Sequence, residues 1–251
     1  MKFLESPENP KFKIWKSLLQ SRGIKKEGLF LVFGPKLVQE VIERHPQSCV
    51  SLILSPRSKE APREYRFLPG QVIKFVLRND MYKELDVLGT QDDILVCELP
   101  TLPRWDGSQP PEGLELLVPL GDPSNLGAVL RSAQAFQCSR IVILSESAHP
   151  FHPKAIRAAA SGLLSLPLAW GPSLRQTPEI RDCWALDSDG QSLRSFQWPK
   201  NIRLLVGEEG QGIPESFPRN RRISIPMAPQ SESLNAAVAA SIALYAYPHG
   251  L

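Results

Sequence analysis

The sequence predicts an α/β fold in two domains, and three observations lead to that prediction. Strand-like and helix-like segments alternate along the 251 residues. Several of the strand segments are continuous apolar runs, as in a parallel sheet covered on both faces. Residues 100–113, PTLPRWDGSQPPEG, hold four prolines and two glycines, a density that neither helix nor sheet accommodates. We therefore expect an N-terminal domain over 1–99, a linker over 100–113 and a second domain over 114–251.

The N-terminal domain reads as a small α/β unit. Its elements are predicted in the order helix 10–21, strand 29–34, helix 35–44, strands 50–55 and 72–77, and helix 79–88. Pro35 stands in the first turn of its helix, where the missing N–H costs nothing.

The second domain shows the stronger alternation. Strands are predicted at 114–120, 140–145, 166–170, 183–187, 202–207 and 222–226, and helices at 126–137, 153–164 and 233–247. Ligands of open parallel sheets bind at the carboxyl ends of strands. Three loops of that kind, 121–127, 207–213 and 226–235, are therefore candidates for one site.

The bulk features exclude several classes of protein. No run of about 18 apolar residues is present, so the sequence predicts no membrane span. The start, MKFLESPENPKFK, lacks the apolar core of a signal peptide, and Glu5 and Glu8 argue against a transit peptide. These features predict a cytoplasmic protein.

Cysteine and histidine usage favours no metal site. Cys49, Cys97, Cys138 and Cys183 form no CxxC pair, and we expect them to be buried free thiols in a reducing compartment. His149 and His152 form a close pair in HPFHP. A metal site is one interpretation of that pair, but the flanking prolines favour a plain loop.

Positive charge is concentrated at the N-terminus. The net charge of the whole chain is +3, whereas residues 1–30 alone carry seven Lys or Arg against three Glu, with Phe12, Trp15 and Phe30 interleaved. Such a patch suits a polyanion such as RNA, and a solvated amphipathic helix explains it equally well. The candidate RNA-binding residues are Lys11, Lys13, Lys16, Arg22, Lys25 and Lys26.

The loop GEEGQGIPES, 207–216, has the composition of a ligand-binding turn. Its glycines let a ligand approach the main chain closely. It is neither a GxGxxG motif in a βα unit nor a P-loop, and Glu208 and Glu209 would repel a polyphosphate. A cationic or zwitterionic ligand fits better; the alternative is a glycine-rich turn with solvated glutamates.

The two other loops place polar residues at helix starts. In LGDPSNLGAVLRSAQAFQ, 120–137, a turn at 122–125 leads into a helix on which Arg131 lies off the apolar face, as a solvated arginine also would. In IPMAPQSESLN, 225–235, Ser233 is the expected N-cap and Asn235 lies in the first turn. The alanine-rich helix that follows is expected in the core or at a subunit interface.

Together the three loops resemble a known pattern. The segments are N-x-G-x-x-x-R at 125–131, G-x-E-G-x-G at 207–212 and I-P-M…S-L-N at 225–235. In order and spacing they resemble the three motifs of the SpoU/TrmH branch of the SPOUT RNA methyltransferases. NPKFKIWKSL…GLFLVFGPKLVQEVI similarly resembles the small RNA-binding domain of many ribosomal-RNA members.

The resemblance implies a parallel-sheet α/β catalytic domain with a trefoil knot, preceded by a small α/β RNA-binding domain. It implies a homodimer that uses S-adenosylmethionine to methylate a ribose 2′-hydroxyl of RNA. The type of N-terminal domain favours ribosomal RNA, and transfer RNA is the alternative substrate.

Residue roles follow from the same resemblance. The implied cofactor-binding residues are Val206, Gly207, Glu208, Gly212, Ile225, Met227, Ser233 and Leu234, and the implied catalytic residues are Asn125, Arg131, Glu209, Ser233 and Asn235. Arg131 has two roles open to it. It can clamp a phosphate and stabilise the developing alkoxide, which we prefer because a guanidinium is a poor proton acceptor, or it can accept the proton in a desolvated site.

The sequence departs from the family pattern at four positions: Phe33, Ser165, Glu208 and Pro229. The family usually has an acid at the first, a glutamate at the second, Asn or Ser at the third and Gly at the fourth. These departures leave a catalytically silent, knotted RNA-binding or ribosome-assembly protein as the alternative. A dinucleotide-dependent oxidoreductase and a serine hydrolase are disfavoured, since neither GxGxxG nor GxSxG is present.

Overall fold

A computed structural model of the chain describes residues 1–60, 64–160, 162–228, 230–231 and 233–248. Its contacts divide the chain into two compact units. The first unit combines Met1–Pro100 with Phe151–Ser161, and the second combines Thr101–Pro150 with Gly162–Leu251. Phe151–Ser161, which we expected in the second domain, thus belongs to the first unit. The assignment of RNA binding to one domain and catalysis to the other stays a prediction.

The first unit is built on a mixed sheet. Its elements are β1 (Lys2–Leu4), α1 (Pro10–Ser17), α2 (Ser21–Glu27), β2 (Leu29–Phe33), α3 (Pro35–Arg44), β3 (Cys49–Leu54), α4 (Pro56–Glu60), β4 (Ile73–Leu77), α5 (Asn79–Leu85), β5 (Ile94–Glu98) and α7 (Pro153–Ala159). Within the described residues the strand order is β1-β4-β3-β5-β2. β1, β4 and β3 are parallel, and β5 runs antiparallel to both β3 and β2.

Two local features of this unit differ from the predicted elements. The single helix predicted at 10–21 is two helices, because the chain turns after Ser17 and brings Gly23 against the Ser17 carbonyl. A Cβ on Gly23 would lie 2.0 Å from that oxygen. The short helix after residue 152 packs on β2, where Phe151 contacts Phe30 with ring centroids 4.9 Å apart. Strands β1 and β5 were not among the predicted elements.

The second unit contains the parallel sheet that the apolar runs predict. Its elements are β6 (Leu114–Val118), α6 (Pro123–Ala135), β7 (Arg140–Ile143), β8 (Leu168–Trp170), β9 (Cys183–Ser192), β10 (Ile202–Leu205), β11 (Arg222–Ser224) and α8 (Ala236–Ala246). Across the described chain the order is β11-β9-β10-β6-β7-β8, with every pairing parallel. β9 runs five residues beyond its predicted end, and its register against β11 shifts after Arg222.

A buried ion pair anchors the proline-rich segment to this sheet. The Arg203 guanidinium donates to Glu115 Oε2 at 3.0 Å, and both side chains are almost fully buried. Trp105 donates from its indole to the same carboxylate oxygen and stacks 5.0 Å from the guanidinium. Such a pair contributes specificity rather than much net stability, since desolvation offsets the attraction.

The apolar core of this unit lies under the carboxyl ends of the central strands. Its buried residues are Leu117, Val142, Leu144, Leu174, Ile180, Cys183, Ala185, Leu205, Ile213 and Phe217. The predicted burial of the four cysteines as free thiols is confirmed. Burial raises the pKa of the Cys138 and Cys183 thiols to about 12.

The histidine pair forms no metal centre within the described chain, where no group of three or more His, Cys, Asp or Glu side chains comes together. His152 instead accepts a hydrogen bond from the Lys154 backbone as the N-cap of α7. No helix among the described residues is both long and apolar enough to cross a membrane.

Candidate cofactor cavity and polar cluster

A cavity of about 560 Å³ opens at the carboxyl ends of β9, β10 and β11. The structure brings all eight predicted cofactor-binding residues into its lining, from the two loops that follow β10 and β11. Its volume falls within the range of about 300–1,000 Å³ that is usual for small-molecule sites. That these residues bind a cofactor stays a prediction.

The loop after β10 is a tight turn that exposes main chain to the cavity. The Glu208 backbone N–H donates to the Gly212 carbonyl at 3.1 Å, and the Gly212 N–H donates back to the Glu208 carbonyl at 2.9 Å. Gly210 and Gly212 have φ values of +87° and +69°, a region that residues with a Cβ rarely adopt. The glycine spacing is therefore required by the turn itself.

A chain of hydrogen bonds joins the three motifs. Glu209 Oε1 accepts from Asn125 Nδ2 at 2.6 Å, and Asn125 Oδ1 accepts from Asn235 Nδ2 at 3.2 Å. The second Glu209 oxygen accepts from the Asp122 backbone N–H at 2.8 Å. Asn235 Oδ1 in turn accepts from the Ala237 and Val238 N–H groups at the start of α8. Residues more than 80 positions apart in the chain thus form one polar cluster.

Donor and acceptor rules determine the orientation of both amides in this cluster. An ionised carboxylate only accepts, so the Asn125 NH₂ group must face Glu209 and its oxygen must face Asn235. The Asn235 NH₂ group then faces Asn125, which leaves its oxygen for the helix N–H groups. One hydrogen of each NH₂ group remains available to a ligand, and Asn235 lines the cavity.

Two expectations about helix starts were wrong. The N-cap of α8 is Asn235, not Ser233, because the Asn235 side chain reaches the N–H groups two and three residues later. The turn predicted at 122–125 is the first turn of α6, with Asp122 as N-cap. Ser233 lies on the cavity wall, outside the helix.

Arg131 does not line the cavity. It is exposed on α6, as its position off the apolar face predicts. Within the described part of the chain its guanidinium makes no hydrogen bond or ion pair. Its catalytic role stays a prediction.

Outside the loops 207–213 and 226–235, sequence reasoning missed three polar residues of the cavity: Asp187, Ser188 and Arg222. Arg222 Nη1 lies 2.5 Å from Asp187 Oδ2, and Nη2 donates to the Pro214 and Phe217 carbonyls. Arg222 thus ties the middle of β9 to the turn that follows the glycine loop. The sequence contained a signal for Asp187, because this residue ends the predicted strand CWALD at the edge of the sheet where ligands bind.

The four departures from the family pattern fall in different places. Glu208 lines the cavity, whereas Ser165 ends a short 3₁₀ helix and Phe33 is buried in β2. Pro229 lies outside the described residues.

Several of the basic N-terminal residues are already paired with acids. Lys13 pairs with Glu8, Lys16 with Glu84 at 2.5 Å and Lys26 with Glu27 at 2.9 Å, while Lys11 lies 5.9 Å from the centre of the Phe75 ring. The lysine of each pair is exposed, so each pair contributes little stability and leaves the cation accessible. Arg22 and Lys25 lie on α2.

The aromatic residues interleaved with this patch serve the fold instead. Phe12, Trp15 and Phe30 are buried in the first unit, and Trp15 packs edge-on against Phe75. The lysines and the arginine of the patch, rather than these three rings, are therefore its exposed groups.

Comparison with known proteins assigns the family. The sequence model of the SpoU rRNA methylase family matches residues 116–245, which hold every motif residue described above. The chain belongs to the SpoU rRNA methylase family. The match spans both the polar cluster and the cavity of the second unit.

Two relatives match this chain over different shares of their own length. A ribosomal RNA small subunit methyltransferase G 2 of Syntrophobacter fumaroxidans is 38% identical over 97% of this chain, and the match spans 48% of that relative. The chain thus spans about half the length of that protein. The 23S rRNA (guanosine(2553)-2′-O)-methyltransferase RlmP of Bacillus subtilis is 26% identical, with 98% of each chain covered.

A solved SpoU-family structure has the same overall architecture. The methyltransferase AviRb of Streptomyces viridochromogenes, in complex with the cofactor AdoMet, superimposes with a TM-score of 0.72 at 25% identity. The match covers 95% of this chain and 97% of that one. The predicted family and the α/β class are thereby confirmed, while the trefoil knot stays a prediction.

Proposed function

We propose that this chain is an S-adenosylmethionine-dependent RNA methyltransferase that methylates a ribose 2′-hydroxyl, with ribosomal RNA as its substrate. The observation that carries this proposal is the polar cluster beside the cavity, which joins the three motif loops of the SpoU family. The similarity to RlmP, named as a 2′-O-methyltransferase of 23S rRNA, supports the choice of hydroxyl and RNA.

The residues of the cavity fit S-adenosylmethionine. Glycine-loop main chain offers N–H and C=O groups, Ile225, Met227 and Leu234 offer apolar surface, and the acidic residues suit a cation. When bound, the cofactor supplies a methyl group on a positively charged sulfur. The ribose hydroxyl held by this chain would take up that methyl group as its proton passes to solvent.

The contribution of this chain is to hold and stabilise the attacking oxygen. A spare amide hydrogen on Asn235, at the cavity wall, can orient the hydroxyl. Glu209 fixes the orientation of that amide through its hydrogen bond to Asn125. Negative charge develops on the oxygen as the proton leaves, and a fixed cation beside it lowers the barrier. Arg131 supplies that cation and clamps a neighbouring phosphate of the RNA.

We further propose a homodimer formed through α8. Leu234, Val238, Ile242 and Tyr245 form an apolar stripe at one side of α8, and Val238 and Tyr245 are 46% and 77% exposed. Contiguous apolar surface of this kind marks a protein interface. Ser241 meanwhile bonds Ser132 of α6 at 2.7 Å, which holds the helix to its own protomer.

We also propose that the first unit binds the RNA and that the protein acts in the cytoplasm. The exposed side chains of Lys11, Lys13, Lys16, Arg22, Lys25 and Lys26 support RNA binding through phosphate contacts.

The decisive experiment is a transfer assay with nucleoside analysis. Purified protein is incubated with methyl-labelled S-adenosylmethionine and unmodified total RNA, and the RNA is digested to nucleosides. We expect label in one 2′-O-methylated nucleoside. Label on a base would overturn the ribose mechanism, and RNA binding without any label would favour the catalytically silent alternative.

The same assay tests Arg131. Arg131→Ala should abolish transfer while S-adenosylmethionine binds with unchanged affinity, because Arg131 does not line the cavity. Arg175→Ala, which removes an exposed arginine of the same unit, is the control. Full transfer by Arg131→Ala would refute the assigned role.

A further inference from the structure

Negative charge in the cavity lining is unequally compensated. Among the described lining residues three carboxylates, of Asp187, Glu208 and Glu209, face one guanidinium, that of Arg222. Asp187 is paired with Arg222, and Glu209 accepts two hydrogen bonds. Glu208 differs, since its backbone closes the glycine turn but its carboxylate has no hydrogen bond or ion pair within the described residues.

An unpaired, half-buried carboxylate at a cavity wall attracts a positively charged ligand. Glu208 is half-buried at the cavity wall, so water and salt screen its field less than on an open surface. Arg222, the only cation among the described lining residues, does not offset that field, because it is engaged by Asp187 and by two carbonyls. The unpaired charge therefore favours whichever ligand carries more positive charge.

The two forms of the cofactor differ by one unit of charge. S-adenosylmethionine carries a positive sulfonium, and methyl transfer leaves a neutral thioether in S-adenosylhomocysteine. The rest of the two molecules is the same, so hydrogen bonds and apolar contacts alone cannot separate them well.

We propose that Glu208 is the residue by which this cavity distinguishes the methylated cofactor from its demethylated product. The inference rests on the proposed function, because it concerns the same cavity and cofactor. The SpoU/TrmH pattern has a neutral Asn or Ser at this position. Relative to that pattern, the carboxylate tightens the binding of S-adenosylmethionine, leaves the affinity for S-adenosylhomocysteine nearly unchanged, and so reduces inhibition by the accumulated product.

The test is a comparison of binding constants by titration calorimetry. S-adenosylmethionine, S-adenosylhomocysteine and sinefungin, a cationic analogue with an ammonium-bearing carbon at the position of the sulfonium, are titrated into the wild type, Glu208→Gln and Glu208→Asn. Glu215→Gln, an exposed glutamate beyond the same turn, is the control. Unfolding curves establish that each variant is folded, which is expected because the turn is closed by backbone bonds.

We expect the Kd of S-adenosylmethionine and of sinefungin to rise about threefold to tenfold in both Glu208 variants. The Kd of S-adenosylhomocysteine should change less than about twofold, since its sulfur is uncharged. Added salt should shrink the preference of the wild type for the cation and leave the variants nearly unaffected.

An equal rise in Kd for all three ligands, or no change, would overturn this inference while the proposed function stands. Wild-type protein that binds none of the ligands would instead overturn the proposed function, and the inference with it. The two failures are thus separable by the wild-type titration alone.

Discussion

Glu209 is the acceptor on which the orientation of the polar cluster depends. Its two oxygens accept from Asp122 and Asn125. The bond to Asn125 turns the Asn125 amide oxygen toward Asn235, from whose amide it accepts. Glu209→Gln keeps the shape but replaces one acceptor oxygen with a donor, so one of these bonds must be lost. The lost bond is to a charged group and is worth about 1.5–3 kcal/mol, hence we expect kcat to fall about tenfold to a hundredfold.

Steady-state methyl-transfer kinetics check this prediction. Glu215→Gln removes the same charge from an exposed position of the same loop region and should keep kcat. A Glu209→Gln enzyme with the kcat of the wild type would show that the cluster does not position the reacting groups.

At the scale of elements, the close approach of β9 and β11 shapes the wall of the cavity. A Cβ added to Gly190 would lie 2.5 Å from the carbonyl carbon and oxygen of Arg222. Gly190→Ala must therefore push β11 away and disturb the Asp187–Arg222 pair. We expect the free energy of unfolding to fall by about 2–4 kcal/mol, together with weaker cofactor binding.

Urea denaturation measures this loss. Gly70→Ala is the matched control, because a Cβ there meets no atom within 4 Å and its φ lies outside the left-handed region. That variant should be as stable as the wild type or slightly more stable, since alanine restricts the unfolded chain. Equal free energies of unfolding for the two variants would mean that β9 and β11 can move apart without loss of stability.

The exposed stripe of α8 belongs to the scale of the whole molecule, because only a second copy can cover it as proposed. Val238→Glu combined with Ile242→Glu places two charges on the stripe. We expect the variant to sediment as a monomer and to lose most of its transfer activity, because burying unpaired charge in an interface is costly.

Analytical ultracentrifugation checks the mass of each protein. Gln176→Glu adds a negative charge to an exposed residue elsewhere in the second unit and should leave the mass at that of a dimer. A dimeric double variant would place the interface on another surface.

Alkaline pH should destabilise the whole molecule through its buried thiols. The pKa of Cys138 and Cys183 is raised by burial from 9.0 to about 12, so the folded state holds these protons more tightly than the unfolded chain. The stabilisation is complete below about pH 9 and is lost as pH rises toward 12, by up to about 1.4 kcal/mol per thiol per pH unit.

Urea denaturation at pH values from about 8 to 11 measures this decline. A variant with Cys138→Ala and Cys183→Ala should be less stable at neutral pH because of the cavities, yet its stability should fall less steeply with pH. Identical slopes in the two proteins would contradict the assignment of the decline to these thiols.

The sequence by itself determined the strands of the second unit and the family. Apolar runs bounded by turn residues predicted every strand of the second unit, because burial on both faces demands such runs. The family resemblance carried by the three motifs implied eight cofactor-binding residues in two loops, and all eight line the cavity. Positions such as Gly210 and Gly212 are set locally, by the φ values that the turn requires.

Only the tertiary structure decided which residues distant in the chain come into contact. Asp187 and Arg222 are 35 residues apart and meet because β9 and β11 are neighbours in the sheet, an order that no local pattern encodes. The orientation of the Asn125 amide depends on the distant acceptor Glu209. Such features arise from long-range packing and from the pairing of buried polar groups, which the chain can satisfy only once it is folded.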